Sequence, residues 1–432
     1  MNTTPMATRM VTPTRGILLS CVGLLFVSGW VGAWSDPGRP TGPPVAPKES
    51  LALVSERRRS VLQKVVATAF LSAVGTSGPA TAVPLDAVAR SDASDGRLYT
   101  VPPKAVDGKV ILVTGGTAGL GLESAKRLAA SGGTIVLTAR TDAKGTKAVA
   151  AVQDYLTEKS VRNPNVYALE LDLDDLDSVK SFPQRYGKLL GSRKIDVLMN
   201  NAGVAAIPER ETTKDGFERT FQTNHLGPFI LTSLMFPYLN REGRGSRIIN
   251  VSSRAHQFAK VAKTNKFGLD FDNLNAELEY GGSGWPAYSR SKLENILFTQ
   301  ELQRRADEAG LTWLAVVALH PGVVATDIWR ATYFGVDQRG ARKPEGKERV
   351  RDSLKSFASD FFYNKVIPVE EGANTQIMLA ASGEGEGIPV KGQYFDEQMK
   401  PSELSDFAKN QESARYLWDK SQELAGIEFK VI

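Results

Sequence analysis

The chain has 432 residues, 42% of them apolar, which is enough for a large buried core in one extended domain or in two. Its formal net charge of +5 sits mostly in residues 1–100, where ten Lys/Arg oppose six Asp/Glu, so the remainder is near +1 and offers no electrostatic footprint for nucleic acid. Cys21 is the single cysteine, which excludes disulfides, cysteine metal sites and thiol catalysis from the body, and His225, His256 and His320 are too few and too scattered for a His-rich metal site.

The N-terminal segment carries Arg9 and Arg15, no acid before Asp36, and an uncharged stretch from Gly16 to Ser35 with apolar cores at Ile17–Leu19 and Leu24–Val27. With Val31-Gly32-Ala33 as a small-residue cleavage site this is a signal-peptide pattern; about 20 uncharged residues also leave a signal anchor open. The Pro/Gly-rich stretch Pro37–Pro47 and the basic Arg57-Arg58-Arg59 follow, a composition with little to pack. The combination, with Trp34 at the junction, resembles the bipartite leader of algal plastids. Paired arginines, a short apolar run to Val74 and Ala80-Thr81-Ala82 further resemble a twin-arginine thylakoid signal, a transit peptide being the alternative. Residues 1–100 are therefore predicted to be a disordered targeting leader and linker, and a plastid, with thylakoid association, is the expected location.

From Gly108 the pattern changes to alternating strands and helices. Val110–Val113 is a β-branched apolar run ending at glycines, a helical stretch covers Glu123–Ser131, and Thr134–Thr138 is a second strand, together one β-α-β unit. Further strands are predicted at Val166–Leu171, Ile195–Met199, Arg247–Val251 and Trp313–Leu319, with helical patterns between them. The fold class that follows is α/β: a doubly wound parallel sheet of Rossmann type, forming a single domain over residues 101–432.

Three places along this framework carry chemistry. Gly115, Gly119 and Gly121 lie between the first strand and its helix, where a backbone can approach a pyrophosphate only without side chains, and the helix beginning near Leu120 points its N–H groups at the phosphates. The second strand ends Thr138-Ala139-Arg140. A base there accommodates a ribose 2′-phosphate, so Arg140 points to NADP(H); a solvated arginine with Asp142 nearby is the alternative. Tyr288-Ser289-Arg290-Ser291-Lys292 places a phenol and an ammonium one helical turn apart, and a cation beside a tyrosine favours the phenolate, whose ordinary pKa near 10 is too high for a neutral-pH base. A second Tyr-x-x-x-Lys pair, Tyr155 and Lys159, has no serine-ended strand before it and reads as a solvated helix pair. Only one of Ser252 and Ser253 can face the cleft from its strand end. His256 reads as a loop or substrate-wall residue and His320 as structural.

The order Thr114-Gly115-Gly116-Thr117-Ala118-Gly119-Leu120-Gly121, Asn200-Asn201-Ala202-Gly203, Ser252-Ser253 and Tyr288-x-x-x-Lys292 resembles the short-chain dehydrogenase/reductase superfamily over roughly residues 105–425. The resemblance implies a catalytic set of Asn224, Ser253, Tyr288 and Lys292, with Tyr288 as acid/base, Ser253 holding the substrate oxygen and Asn224 supporting a water that leads to Lys292. It implies a cofactor site of Gly115, Thr117, Gly119, Leu120, Gly121, Arg140, Asp172, Asn201, Ala202, Gly203, Tyr288, Lys292, Pro321, Gly322 and Thr326. Within it Asp172 contacts the adenine, and His320-Pro321-Gly322 with Thr326 holds the nicotinamide carboxamide.

Ala287–Leu302, the insertion Leu269–Leu274, His320–Thr326 and the tail from Gly392-Gln393-Tyr394-Phe395 to Leu417-Trp418 are similar to retinol dehydrogenases and WW-domain oxidoreductases. That branch implies an NADP(H)-dependent carbonyl reductase or alcohol dehydrogenase. Between Asp327 and Pro368, Trp329, Tyr333, Phe334, Phe361, Phe362 and Tyr363 are expected in a lid over a small lipophilic carbonyl or alcohol, or else in core and oligomer contacts. Membrane association and a homo-oligomer stay open, as do two other readings: a protochlorophyllide reductase-like enzyme, for which the body lacks a cysteine, and a non-catalytic NADP(H)-sensing protein at a plastid membrane.

Overall fold

The structure is a computed structural model that describes residues 98–432, apart from 164, 244, 260–268, 281–283, 325, 327, 329–365 and 383–390. Nearly all of the predicted leader and of the predicted lid lies outside the described residues. The described residues all belong to one compact unit.

Seven strands form one wholly parallel sheet: β1 (Val110–Val113), β2 (Thr134–Ala139), β3 (Val166–Glu170), β4 (Val197–Asn200), β5 (Ser246–Val251), β6 (Leu314–Leu319) and, after the two-residue strands β7 (Val323–Val324) and β8 (Val366–Ile367), β9 (Tyr394–Phe395). Their order is β3-β2-β1-β4-β5-β6-β9, with β7 and β8 paired separately. Every step between neighbours needs a crossover, and helices supply it: α1 (Gly119–Ala130), α2 (Asp142–Glu158), α3 (Phe182–Leu190), α4 (Gly227–Met235), α5 (Trp285–Glu308) and α6 (Asn374–Ala381), while α7 (Gln411–Ala425) follows the last strand and packs on the sheet. β1, β2 and β4 are buried along their whole length, which is why they read as largely apolar runs in the sequence. Alternate residues feed two cores. Val110, Leu112, Leu198, Ile248 and Val316 pack with α4, α5 and α7, while Ile111, Val113, Met199, Ile249 and Val317 pack with α1, α2 and α6.

The doubly wound sheet is as the sequence predicted. Strand bounds differ by a residue or two; Ile195, expected in the fourth strand, makes only an isolated bridge to Leu239 ahead of β4. Helix α1 starts at Gly119, four residues earlier than its periodicity indicated, because two glycines open it and carry no apolar signal.

Strand order reverses at β1, whose neighbours are β2 and β4, with Ile111 opposite both Ile135 and Val197. A crevice therefore opens beyond the carboxyl ends of β1 and β4, the switch point of such a sheet. Tyr99, just ahead of the body's predicted start at 101, is tied to that body: its N–H donates to Asn374 Oδ1 at 3.0 Å, and the Arg127 guanidinium donates to its carbonyl.

Candidate active site

Around the crevice, one hydroxyl organises two loops. Thr114 Oγ1 accepts the N–H groups of Asn201 and Ala202, each at 3.0 Å, while Asn201 Nδ2 donates back to the Thr114 carbonyl at 2.8 Å. The loops are so close that a Cβ on Gly115, whose φ is +65°, would lie 2.9 Å from Ala202 Cα. A Cβ on Gly121 would lie 2.6 Å from the Gly115 carbonyl oxygen, so only glycine lets α1 start against the turn. Thr138 Oγ1 accepts the Gly115 N–H at 3.2 Å and ties the turn to β2.

This cradle fits a dinucleotide. α1 has no capping side chain at Ala118 and no acid in its first turn, which leaves its first N–H groups for an anion. The other walls are near: a Cβ on Gly119 would be 3.4 Å from Thr326 Cγ2, and one on Gly203 would be 3.2 Å from Asn224 Oδ1 and 3.5 Å from Lys292 Nζ. Thr117, Leu120, Pro321 and Gly322 are half-buried, with Leu120 held through its carbonyl by Ser124 Oγ and Gln376 Nε2. Arg140 is half-buried just past β2, and Asp172 stands past β3 with its Oδ1 accepting Asp174 N–H at 3.0 Å.

Helix α5 brings Tyr288 and Lys292 to the same crevice, each at most 4% exposed. The two serines separate by partner. Ser252 Oγ donates to the Lys292 carbonyl at 2.7 Å, whereas Ser253 is hydrogen-bonded to the Tyr288 phenol. Lys292 Nζ lies 5.7 Å from the Tyr288 ring centroid and donates to the Val251 carbonyl at 2.9 Å. Asn224 sits in a π-helical turn, Gln222–Leu226, ahead of α4, and its amide is held from both ends: Nδ2 donates to Val204 O and Ser291 Oγ at 2.9 Å, and Oδ1 accepts Val204 N–H at 2.8 Å. Tyr288, Ser253, Lys292 and Asn224 therefore meet beside Gly203. Ala205, Ala255, Trp285 and Ile328 form an apolar wall around the Tyr288 ring.

Burial sets the electrostatics. It pushes the Tyr288 phenol up to about 12, with the Ser253 hydrogen bond pulling the other way, and it lowers Lys292 to about 8. The Lys292 ammonium lies over the ring and also donates to the Val251 carbonyl, while burial is the largest influence on the phenol. The phenol consequently holds its proton at neutral pH.

Other sequence candidates fall elsewhere. Tyr155 is half-buried on α2, its ring 5.7 Å from Lys159 Nζ and 5.8 Å from Lys126 Nζ, and burial raises its pKa. His225 is buried among Phe221, Phe229 and Phe298 and bonded to Ser421 Oγ at 2.8 Å, with its pKa lowered to about 3. His320 is held neutral in the same way beside Glu397. Trp329, Tyr333, Phe334, Phe361, Phe362 and Tyr363 lie outside the described residues. Among the described residues no group of His, Cys, Asp and Glu could hold a metal ion. Sequence reasoning missed Thr138 and Gln376, which brace the cradle from β2 and α6; neither carries a local signal.

The model of the short chain dehydrogenase family matches residues 109–265. Retinol dehydrogenase 12 of Mus musculus is 34% identical over 325 residues, covering 75% of this chain and 89% of the relative. Retinol dehydrogenase 13 of Homo sapiens is 37% identical over 329 residues, covering 76% and 88%. Among solved structures, an uncharacterized protein from Mycobacterium paratuberculosis matches with a TM-score of 0.55 at 30% identity, covering 77% of this chain and 99% of that one. With the glycine cradle and the Ser253–Tyr288–Lys292 cluster in place, the chain belongs to the short-chain dehydrogenase/reductase superfamily, a family of NAD(P)-binding oxidoreductases.

Proposed function

We propose that the protein is an NADP(H)-dependent oxidoreductase that interconverts a carbonyl and an alcohol on a small lipophilic substrate. The observation that carries this reading is the meeting of Ser253, Tyr288 and Lys292 at the open side of the glycine cradle. NADP(H) supplies or accepts the hydride when bound. Gly115, Thr117, Gly119, Leu120 and Gly121 would hold its pyrophosphate, Arg140 its 2′-phosphate, Asp172 its adenine, and Asn201, Ala202, Gly203, Pro321, Gly322 and Thr326 its nicotinamide half.

The remaining chemistry belongs to the chain. Ser253 Oγ accepts Ala255 N–H at 3.1 Å, which leaves its own hydrogen to donate to a substrate oxygen or to the phenol. Tyr288, protonated at neutral pH, gives its proton to that oxygen during carbonyl reduction and takes one back in the opposite direction. Lys292 draws on a hydrogen bond to a backbone carbonyl and a pKa near 8, so it can hold or release a proton behind Tyr288.

Support for a lipophilic substrate comes from the apolar wall of Ala205, Ala255, Trp285 and Ile328 and from the retinol named in the mouse and human relatives. The leader's composition supports a plastid location, which a fluorescent fusion to residues 1–100 tests, a uniform cytosolic signal counting against it. Reduction of long-chain and isoprenoid aldehydes with NADPH, followed by detection of the alcohol, tests the reaction. Preference for a short hydrophilic ketone would overturn the substrate class.

A further inference from the structure

The turn that follows β5 converges its donors on Ser253. Ser253 Oγ accepts Ala255 N–H, and the Ser253 carbonyl accepts both the His256 backbone N–H at 3.1 Å and His256 Nδ1 at 2.8 Å. A carbonyl oxygen only accepts, so the imidazole hydrogen resides on Nδ1 and the tautomer is fixed. Nε2 is then a bare acceptor in a fully buried ring, with no hydrogen-bond partner among the described residues. Burial lowers the His256 pKa and keeps the ring neutral. A neutral side chain with an unsatisfied buried atom is unfavourable for stability and calls for a reason.

The C-terminal strand gives that ring a wall. Tyr394 of β9 brings its hydroxyl to 3.3 Å from His256 Nδ1 and its ring edge-on at 5.2 Å, and its other side meets His320 at 5.5 Å between ring centroids. β9 has only two residues, and one of them is this tyrosine. Arg254, Asp396 and Glu397 are the charged groups around the cluster.

We propose that His256 is the positioning residue for Ser253: its Nδ1–H, backed by Tyr394, fixes the Ser253 carbonyl and so aims Ser253 Oγ at the Tyr288 phenol. This rests on the reading of Ser253 and Tyr288 given above. It touches neither substrate nor cofactor, and it takes no proton during the reaction.

Three variants separate this role from packing. His256→Asn puts an amide nitrogen where Nδ1 was, His256→Gln puts one where Nε2 was, and His256→Leu keeps bulk alone. In the cofactor-free protein, ring 15N–1H correlations should report hydrogen on Nδ1 throughout the range in which the fold is stable. With NADPH and a long-chain aldehyde, Leu and Gln should lower kcat about tenfold or more, because a small misplacement of an oriented group is costly. KM and the NADPH Kd should move by less than about twofold, since neither contact is altered. His256→Asn should return kcat to within about threefold of the unmutated value. A ring protonated on Nε2, Gln or Leu performing as well as Asn, or an NADPH Kd that weakens in step with kcat would each overturn the proposal. Tyr288→Phe run alongside distinguishes the failures. If it keeps turnover, the reading of the site is at fault; if it loses turnover while Asn and Gln behave alike, only the role of His256 falls.

Discussion

Glu294 lies on α5 two residues beyond Lys292, on the side of the helix away from the crevice, and is fully buried. Neither carboxylate oxygen has a hydrogen-bond partner among the described residues, and the nearest cation, Arg290 Nε, is 3.6 Å away with its guanidinium also donating to the carbonyls of Asn273 and Leu274. Glu218, buried nearby, spends both oxygens on the N–H groups of Thr220 and Phe221 at 2.8 Å. Burial therefore drives the Glu294 carboxyl from its ordinary 4.5 up to about 8, against the pull of Arg290. The folded chain keeps this proton at neutral pH while the unfolded chain releases it. The stability contributed by this carboxyl is thus complete below pH about 4.5 and is lost as pH rises through about 8. At 1.36 kcal/mol per unit, the penalty is on the order of 3 kcal/mol at pH 7. Glu294→Gln preserves the shape and removes the proton uptake. Urea unfolding of both proteins should show the variant more stable by about 1 kcal/mol at pH 5, about 3 at pH 7 and about 4 at pH 8. Parallel stability curves, or a variant less stable at pH 8, would refute the reasoning.

Three other outcomes follow from the same geometry. Arg140→Ala should remove most of a preference for NADPH over NADH that is about tenfold or more, since charge-assisted hydrogen bonds to phosphate contribute on the order of 1.5–3 kcal/mol; fluorescence titration with both nucleotides checks it. Lys292→Met should weaken nucleotide binding and turnover together, because Nζ closes the crevice beside Gly203; a loss confined to turnover would argue otherwise. A chain starting at Val101 should melt several degrees below one starting at Leu98, since Arg127 and Asn374 lose their Tyr99 partners and each such bond is worth about 1 kcal/mol. Equal melting temperatures would show that the segment before Val101 contributes nothing.

Much of this was legible because it is local. β1, β2, β5 and β6 are apolar runs bounded by turn residues, and the glycine turn needs its glycines within seven positions of one another. The Tyr288/Lys292 spacing is one helical turn. What escaped depends on distant contacts. β9 is two residues whose strand character comes only from pairing with Ala318 and Leu319. Gln376 reaches Ser124 and Asn201 across more than 170 positions, and nothing near it in the sequence announces that. The Ser252/Ser253 choice was resolved by which hydroxyl meets the Tyr288 phenol: Ser253 does, while Ser252 donates to the Lys292 backbone carbonyl, a matter of strand pleat and twist. Spacing gives the proximity of Lys292 to Tyr288, but only the packed core gives the desolvation that acts against the phenolate.

The central claim is that Tyr288, at the glycine cradle, exchanges the proton with the substrate oxygen. Tyr288→Phe removes one hydroxyl from a buried ring and leaves the cradle intact. NADPH-dependent reduction of a lipophilic aldehyde, measured beside NADPH affinity in Tyr288→Phe and Tyr155→Phe, tests the claim directly. Tyr288→Phe should lose turnover by about 10²–10⁴-fold with nucleotide affinity within about twofold of the unmutated protein, and Tyr155→Phe should retain both. Turnover that survives in Tyr288→Phe, or that disappears in Tyr155→Phe instead, would contradict it.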